Sequence, residues 1–106
     1  MITLLNTSIL TSFGQYQYSP ATIESARRLL ADAPGWQSAI GHESTAAILS
    51  RLLDIDVPVN RIQYQQGVGD VAIVFKLRGR PPESAVLTVE QLEEIGYDFG
   101  VLRRLS

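Results

Sequence analysis

Residues Ser38–Leu53 read SAIGHESTAAILSRLL, and the fold turns on them. Thr45, Ile48, Leu49, Leu52 and Leu53 recur at helical spacing, which predicts a helix with one buried face. His42, the one histidine of the chain, follows Gly41 where this helix should start, with Ser38 or Gly41 available as its cap. The helical wheel sets His42 at the exposed end of the stripe through Thr45, Ala46, Leu49 and Leu53. A helix start presents unpaired N–H groups and a positive dipole end, so it suits an anion such as phosphate. An imidazole placed there can exchange protons with that anion near neutral pH. Glu43 and Ser44 occupy the first turn, where an acid suits the dipole and a hydroxyl can donate to phosphate. A lone histidine in such a place is more often a polar cap than a catalyst. Residue chemistry alone leaves both readings open.

Upstream, Met1–Leu5 (MITLL) has the pattern of a buried strand running into polar Asn6, Thr7 and Ser8. Ligands of open α/β sheets gather at the carboxyl ends of strands, which puts Asn6 and Ser8 on the expected functional edge. Simple turn chemistry explains the same residues equally well. Phe13, Gly14, Tyr16 and Tyr18 form an aromatic loop or short strand, with core packing the favoured role. Ser19-Pro20 is expected to open a helix whose buried stripe is Ile23, Ala26, Leu29 and Leu30, with Arg27 and Arg28 facing water. Asp32–Gly35 (DAPG) stops it.

Downstream, Asp54–Pro58 ends the central helix. Arg61–Gln66 (RIQYQQ) alternates as a half-buried strand should, and Gly67–Asp70 (GVGD) is expected to be a hairpin-type turn. Val71–Leu77 (VAIVFKL) is apolar enough for a central strand. Arg78–Glu83 (RGRPPE) then places two arginines and an acid on a proline-stiffened loop, either a phosphate clamp or a solvated turn. Thr88–Gln91 (TVEQ) is a capping box opening a short helix that Gly96 closes, and Tyr97–Leu102 forms a last strand ahead of Arg103 and Arg104. The order predicts a single compact α/β domain over residues 1–106 with a mixed sheet of four or five strands. Its apolar strand surface exceeds what three small helices cover, so self-association is expected.

With 106 residues, 45% of them hydrophobic and 19% charged, the chain is composed like an ordinary globular domain. No apolar run approaches the roughly 20 residues of a membrane-crossing helix. The opening MITLLNTSIL lacks the positive start of a signal peptide, so the cytoplasm is the expected location. Cysteine is absent, which removes disulfides, thiol catalysis and thiolate metal sites. With a single histidine as well, no zinc site is expected, and no motif calls for magnesium or another cofactor. A net charge of −2 argues against duplex nucleic acid as a partner. Eight of the nine basic residues are nevertheless arginine, whose planar fork suits phosphate. A small, enclosed anion fits this balance best.

LLNTSILT, SAIGHESTAAILSRLL, VNR at Val59–Arg61, Gly69-Asp70 before VAIVFKL, and Arg80 with Glu83 come in an order that resembles the small viral anti-CRISPR ring nucleases and their bacterial relatives. The resemblance spans essentially the whole chain, and SxIGHxST is its most specific element. It implies an α/β fold with a mixed, largely parallel sheet of about five strands flanked by helices. It also implies a two-fold homodimer that binds cyclic tetra-adenylate at its interface and cleaves it without metal, ending type III CRISPR signalling in the host cytoplasm. The implied catalytic residues are His42, Arg80 and Glu83. The implied ligand contacts are Asn6, Ser8, Ser44 and Arg61. Pro81-Pro82 between Arg80 and Glu83, and Lys76 and Gly79 where polar contacts are expected, depart from the family pattern.

Chemistry and resemblance converge on one mechanism. A ribose 2′-hydroxyl attacks its neighbouring phosphate in line, His42 protonates the departing 5′-oxygen, and Arg80 with the helix N–H groups holds the developing charge. Linear di-adenylates with 2′,3′-cyclic phosphate ends result. The competing expectations are a protein that sequesters the cyclic nucleotide uncut and a dimeric DNA-binding regulator.

Overall fold

Val71–Leu77 has strands on both sides, as the unbroken apolarity of Val71–Phe75 requires. The computed structural model describes residues 1–79 and 88–106. The elements in chain order are β1 (Ile2–Leu5), β2 (Tyr16–Ala21), α1 (Ile23–Ala31), β3 (Gln37–Ser38), α2 (Glu43–Leu53), β4 (Val71–Leu77), α3 (Val89–Ile95) and β5 (Tyr97–Arg104). They form one five-stranded sheet in the order β2-β5-β4-β1-β3. β4 is parallel to β1, with Leu5 opposite Val74, and antiparallel to β5, with Phe75 opposite Phe99. β1 is parallel to the edge strand β3, and β5 is antiparallel to the edge strand β2. The sheet is therefore mixed, and its two antiparallel pairings are the longer ones, so it is not largely parallel.

Side-chain alternation sends the two faces of the sheet to different partners. Leu4, Ile73, Phe75 and Phe99 point to one face, where they pack with Ala26 and Leu30 of α1, Leu49, Leu52 and Leu53 of α2, and Leu92 of α3. Phe75 is the hub of this layer, its ring 5.3 Å from Phe99 and 5.9 Å from Tyr97. The other face carries Leu5, Ala72, Val74 and Leu102, covered by Tyr16, Ala39 and Tyr64. Among the described residues, the buried side chains of all three helices thus belong to one face, and Tyr16 of β2 with the irregular chain at Ala39 and Tyr64 covers the other. Among the described residues, helices line the sheet on one side only.

Local chemistry sets the helix ends. Thr22 and Thr88 each accept a hydrogen bond from the residue three on, and Ser25 and Gln91 return it, completing two capping boxes. Thr22→Ala is expected to cost about 1 kcal/mol, read as a lower urea midpoint at unchanged slope. α2 ends at Asp54 in the left-handed conformation (φ 54°, ψ 42°), which a short polar side chain tolerates. Arg27 is exposed, but its guanidinium does not simply face water. Its Nε and Nη2 donate to the Leu52 carbonyl at 3.1 and 2.6 Å, tying α1 to the open end of α2.

Three other segments depart from expectation. Ser19-Pro20 lies inside β2, because Tyr16–Ala21 pairs with Phe99–Arg104 before the helix can begin. A proline is tolerated there because β2 is an edge strand. Of the aromatics in this region, Phe13 is fully exposed and Tyr18 half-exposed. Tyr18 lies over Gly100, where an added Cβ would come within 2.6 Å of its ring. Arg61–Gln66 is an irregular cover on the second face, not a strand. The expected alternation survives only at its end, where Tyr64 and Gln66 turn inward on either side of exposed Gln65, whereas Ile62, expected on the same face as Tyr64, is exposed. Gln66 is fully buried and its side chain donates to the carbonyls of Asp70 and Leu102, while its backbone N–H donates to the Thr11 hydroxyl and its carbonyl accepts from Arg104, which together hold the segment down. The turn at Gly67–Asp70 forms, with Gly69 at φ 87°, but it links this cover to β4 and makes no hairpin.

Candidate functional site

The carboxyl ends of the parallel strands β1, β3 and β4 lie on one edge of the sheet. Asn6 leaves β1 there, and Ala39–Gly41 carries the chain from β3 into α2. His42 is the N-cap of α2, extended at φ −128° and ψ 133°, with its side chain exposed and making no capping hydrogen bond. α1 and α3 start with complete capping boxes, so among the described residues α2 is the helix whose N-cap side chain accepts nothing from its first N–H groups. Those groups and the imidazole share one end of the helix, which suits an anion that also needs a proton. Ser44 is exposed in the first turn beside them.

Arg61 reaches this end from a distant part of the chain. Its Nε donates to the Gly41 carbonyl at 2.8 Å, so it braces the peptide before His42 while its side chain remains exposed. The reading of Arg61 as a ligand contact alone missed this bond. No local pattern marks it, since the two residues are 20 positions apart.

Asn6 is half-buried and Ser8 exposed, and among the described residues neither is hydrogen-bonded to His42. Asn6 instead lines a cleft of about 430 Å³ between the loop after β1 and the cover segment at Ile62–Gln65. Ala39 forms its far wall, which places the cleft beside the chain leading to His42. Ile9, Leu10 and Ile62 expose apolar surface around it. The Tyr64 hydroxyl is buried beside Thr3 without a hydrogen bond of good geometry, and burial pushes its ionisation above the ordinary tyrosine range. Sequence reasoning missed the cleft because it placed these residues in a strand.

Arg80 and Glu83, with the prolines between them, lie outside the described residues. Arg78, directly after β4, is forked onto Asp98 at 2.6 and 3.0 Å. The guanidinium holds the Asp98 carboxyl below the usual carboxylate range. Arg78 is therefore the partner of Asp98 and joins the two strand ends. Among the described residues, no helix is long and apolar enough to cross a membrane.

Residues 2–99 match the STIV B116-like family. The chain is 37% identical to YddF of Bacillus subtilis over 106 residues, covering 99% of this chain and 98% of that protein. It is 36% identical to ORF117 of Acidianus two-tailed virus, covering 97% of this chain and 92% of that protein. It is 43% identical to protein 26 of Sulfolobus islandicus filamentous virus over 79 residues, which cover 74% of this chain and 66% of that protein. The structure resembles B116 of Sulfolobus turreted icosahedral virus, with a TM-score of 0.86 at 19% identity over 97% of this chain and 98% of that one. At that identity the likeness is one of fold.

Proposed function

The chain belongs to the STIV B116-like family, and from that premise and the geometry around His42 we propose that it is a metal-independent ring nuclease cutting cyclic tetra-adenylate. The observation that carries this reading is an exposed imidazole at an uncapped helix start, beside Arg61 and next to a cleft at the carboxyl edge of the sheet. The resemblance through SxIGHxST supplies the ring-shaped ligand.

The 2′-hydroxyl of one ribose attacks the adjacent phosphorus and forms a 2′,3′-cyclic phosphate, its proton passing to solvent water. The bond to the 5′-oxygen breaks, and the imidazolium of His42 delivers the proton that oxygen needs. Backbone N–H groups at the start of α2 and the Arg61 guanidinium hold the phosphorane charge, joined by Arg80. Glu83 orients either His42 or the ribose. A two-fold homodimer presents two His42 sites to a ligand of matching symmetry, so two opposite linkages are cut and linear di-adenylates leave. Exposed Ile9, Leu10 and Ile62 around the cleft support a second copy closing over it. In a cell this reaction would switch off type III CRISPR signalling.

Incubation of the purified protein with radiolabelled cyclic tetra-adenylate in excess EDTA is expected to give linear di-adenylates with cyclic phosphate ends. Ligand that is retained but uncut would replace the nuclease with a sequestering protein. Tight binding of duplex DNA at physiological salt would turn the reading to a DNA-binding regulator.

A further inference from the structure

We infer that Asn60 is a positioning residue for His42, an inference that rests on the nuclease reading for its kinetic consequence and on geometry for the rest. β3 is an edge strand of two residues, Gln37–Ser38, and the peptides after it lead directly into the N-cap of α2. On an edge, the outward carbonyls of such a strand lack a neighbour. Asn60 supplies one. Its backbone N–H donates to the Ile40 carbonyl at 2.8 Å, and its side-chain Nδ2 donates to the Ser38 carbonyl at 2.8 Å. One residue thus does the work of a short sixth strand, using side chain and main chain together.

The surrounding bonds make this a clip. The Ser38 hydroxyl donates to the Pro58 carbonyl at 2.7 Å and accepts from the Ile40 N–H at 3.2 Å. Ala39 N–H continues the sheet to the Leu4 carbonyl at 3.0 Å, and Arg61 Nε holds the Gly41 carbonyl. Ser38 and Ile40 are both buried, and the Ser38, Ile40 and Gly41 carbonyls are each held by a hydrogen bond on the way from β3 to His42. The α2 end carries no side-chain cap to fix it locally. The backbone from which His42 projects its imidazole is therefore set from Asn60, eighteen residues downstream.

His42 is the one histidine in the chain, so its Cε1–H proton resonance reports on this end of α2 without labelling at other sites. Asn60→Ala and the isosteric Asn60→Asp, which turns a donor into an acceptor facing the Ser38 carbonyl, are compared with the native protein at one pH. Both are expected to move or split the His42 resonance. Both should also lower the single-turnover rate on cyclic tetra-adenylate by up to about 100-fold while affinity for the ring is retained. Arg104→Ala serves as the stability control, because Arg104, on β5 and three strands from β3, holds the carbonyls of Gln66 and Phe13. It is expected to lower the melting temperature and leave the His42 resonance in place.

An unmoved resonance in the folded Asn60 variants overturns the assignment, as does an equal movement in Arg104→Ala. If Asn60→Ala does not fold, Asn60→Asp and Ser38→Ala are judged by the same criterion. A resonance that moves in a protein whose native form never cuts the ring upholds the positioning role and removes the nuclease reading.

Discussion

Replacing His42 with alanine is expected to slow cleavage of cyclic tetra-adenylate by roughly 10²–10⁴-fold, with ring affinity close to that of the native protein. The two effects separate because a general acid acts on the leaving oxygen only as the bond breaks, so its loss raises the barrier without weakening the ground-state complex. The structure makes the substitution clean. The His42 side chain is exposed and caps nothing, so removing it leaves the helix start intact and creates no cavity. The check is a single-turnover time course on the labelled ring beside an equilibrium binding titration. A native-like rate for the variant would reduce His42 to a polar surface residue. Loss of binding in place of rate would assign it to ligand recognition and move the proton donor elsewhere.

The second large effect belongs to the core. Phe75→Ala is expected to destabilise the fold by about 3–5 kcal/mol, through lost transfer energy and the cavity left behind. Phe75 is 1% exposed, lies on the strand with neighbours on both sides, and touches the rings of Phe99 and Tyr97. Small domains hold only roughly 5–15 kcal/mol in total, so this one change removes a large share. Urea unfolding followed by tryptophan fluorescence tests it, with Trp36 as the one reporter. A loss below about 1 kcal/mol would mean that the three-helix layer recloses over the gap, against the close packing that proteins ordinarily show.

These two residues were legible in the sequence to different degrees. Phe75 sits in VAIVFKL, and a run that apolar has nowhere to go but the middle of a sheet. His42 was placeable because Gly41 and the stripe through Leu49 and Leu53 mark where a helix begins. Asn6 was placed after β1 for the same local reason. Arg61 was selected by resemblance, yet its bond to Gly41 was not visible from any neighbouring residue.

By itself the sequence determined the features that arise within one turn of helix or one strand. The capping box at Thr88 and Gln91 formed as read, because both bonds close over four residues. The apolar runs became β1, β4 and β5, because burial is decided by composition and period. Tertiary structure decided whatever depended on a partner far along the chain. Ser19-Pro20 became strand because β5 was there to pair with it, and RIQYQQ stayed irregular because side chains, led by Gln66, hold it to the sheet. The same holds at the site. A helix start able to hold phosphate is local chemistry, whereas the hydrogen bonds from Asn60 and Arg61 that hold the peptides leading into His42 are ones that only folding brings to it.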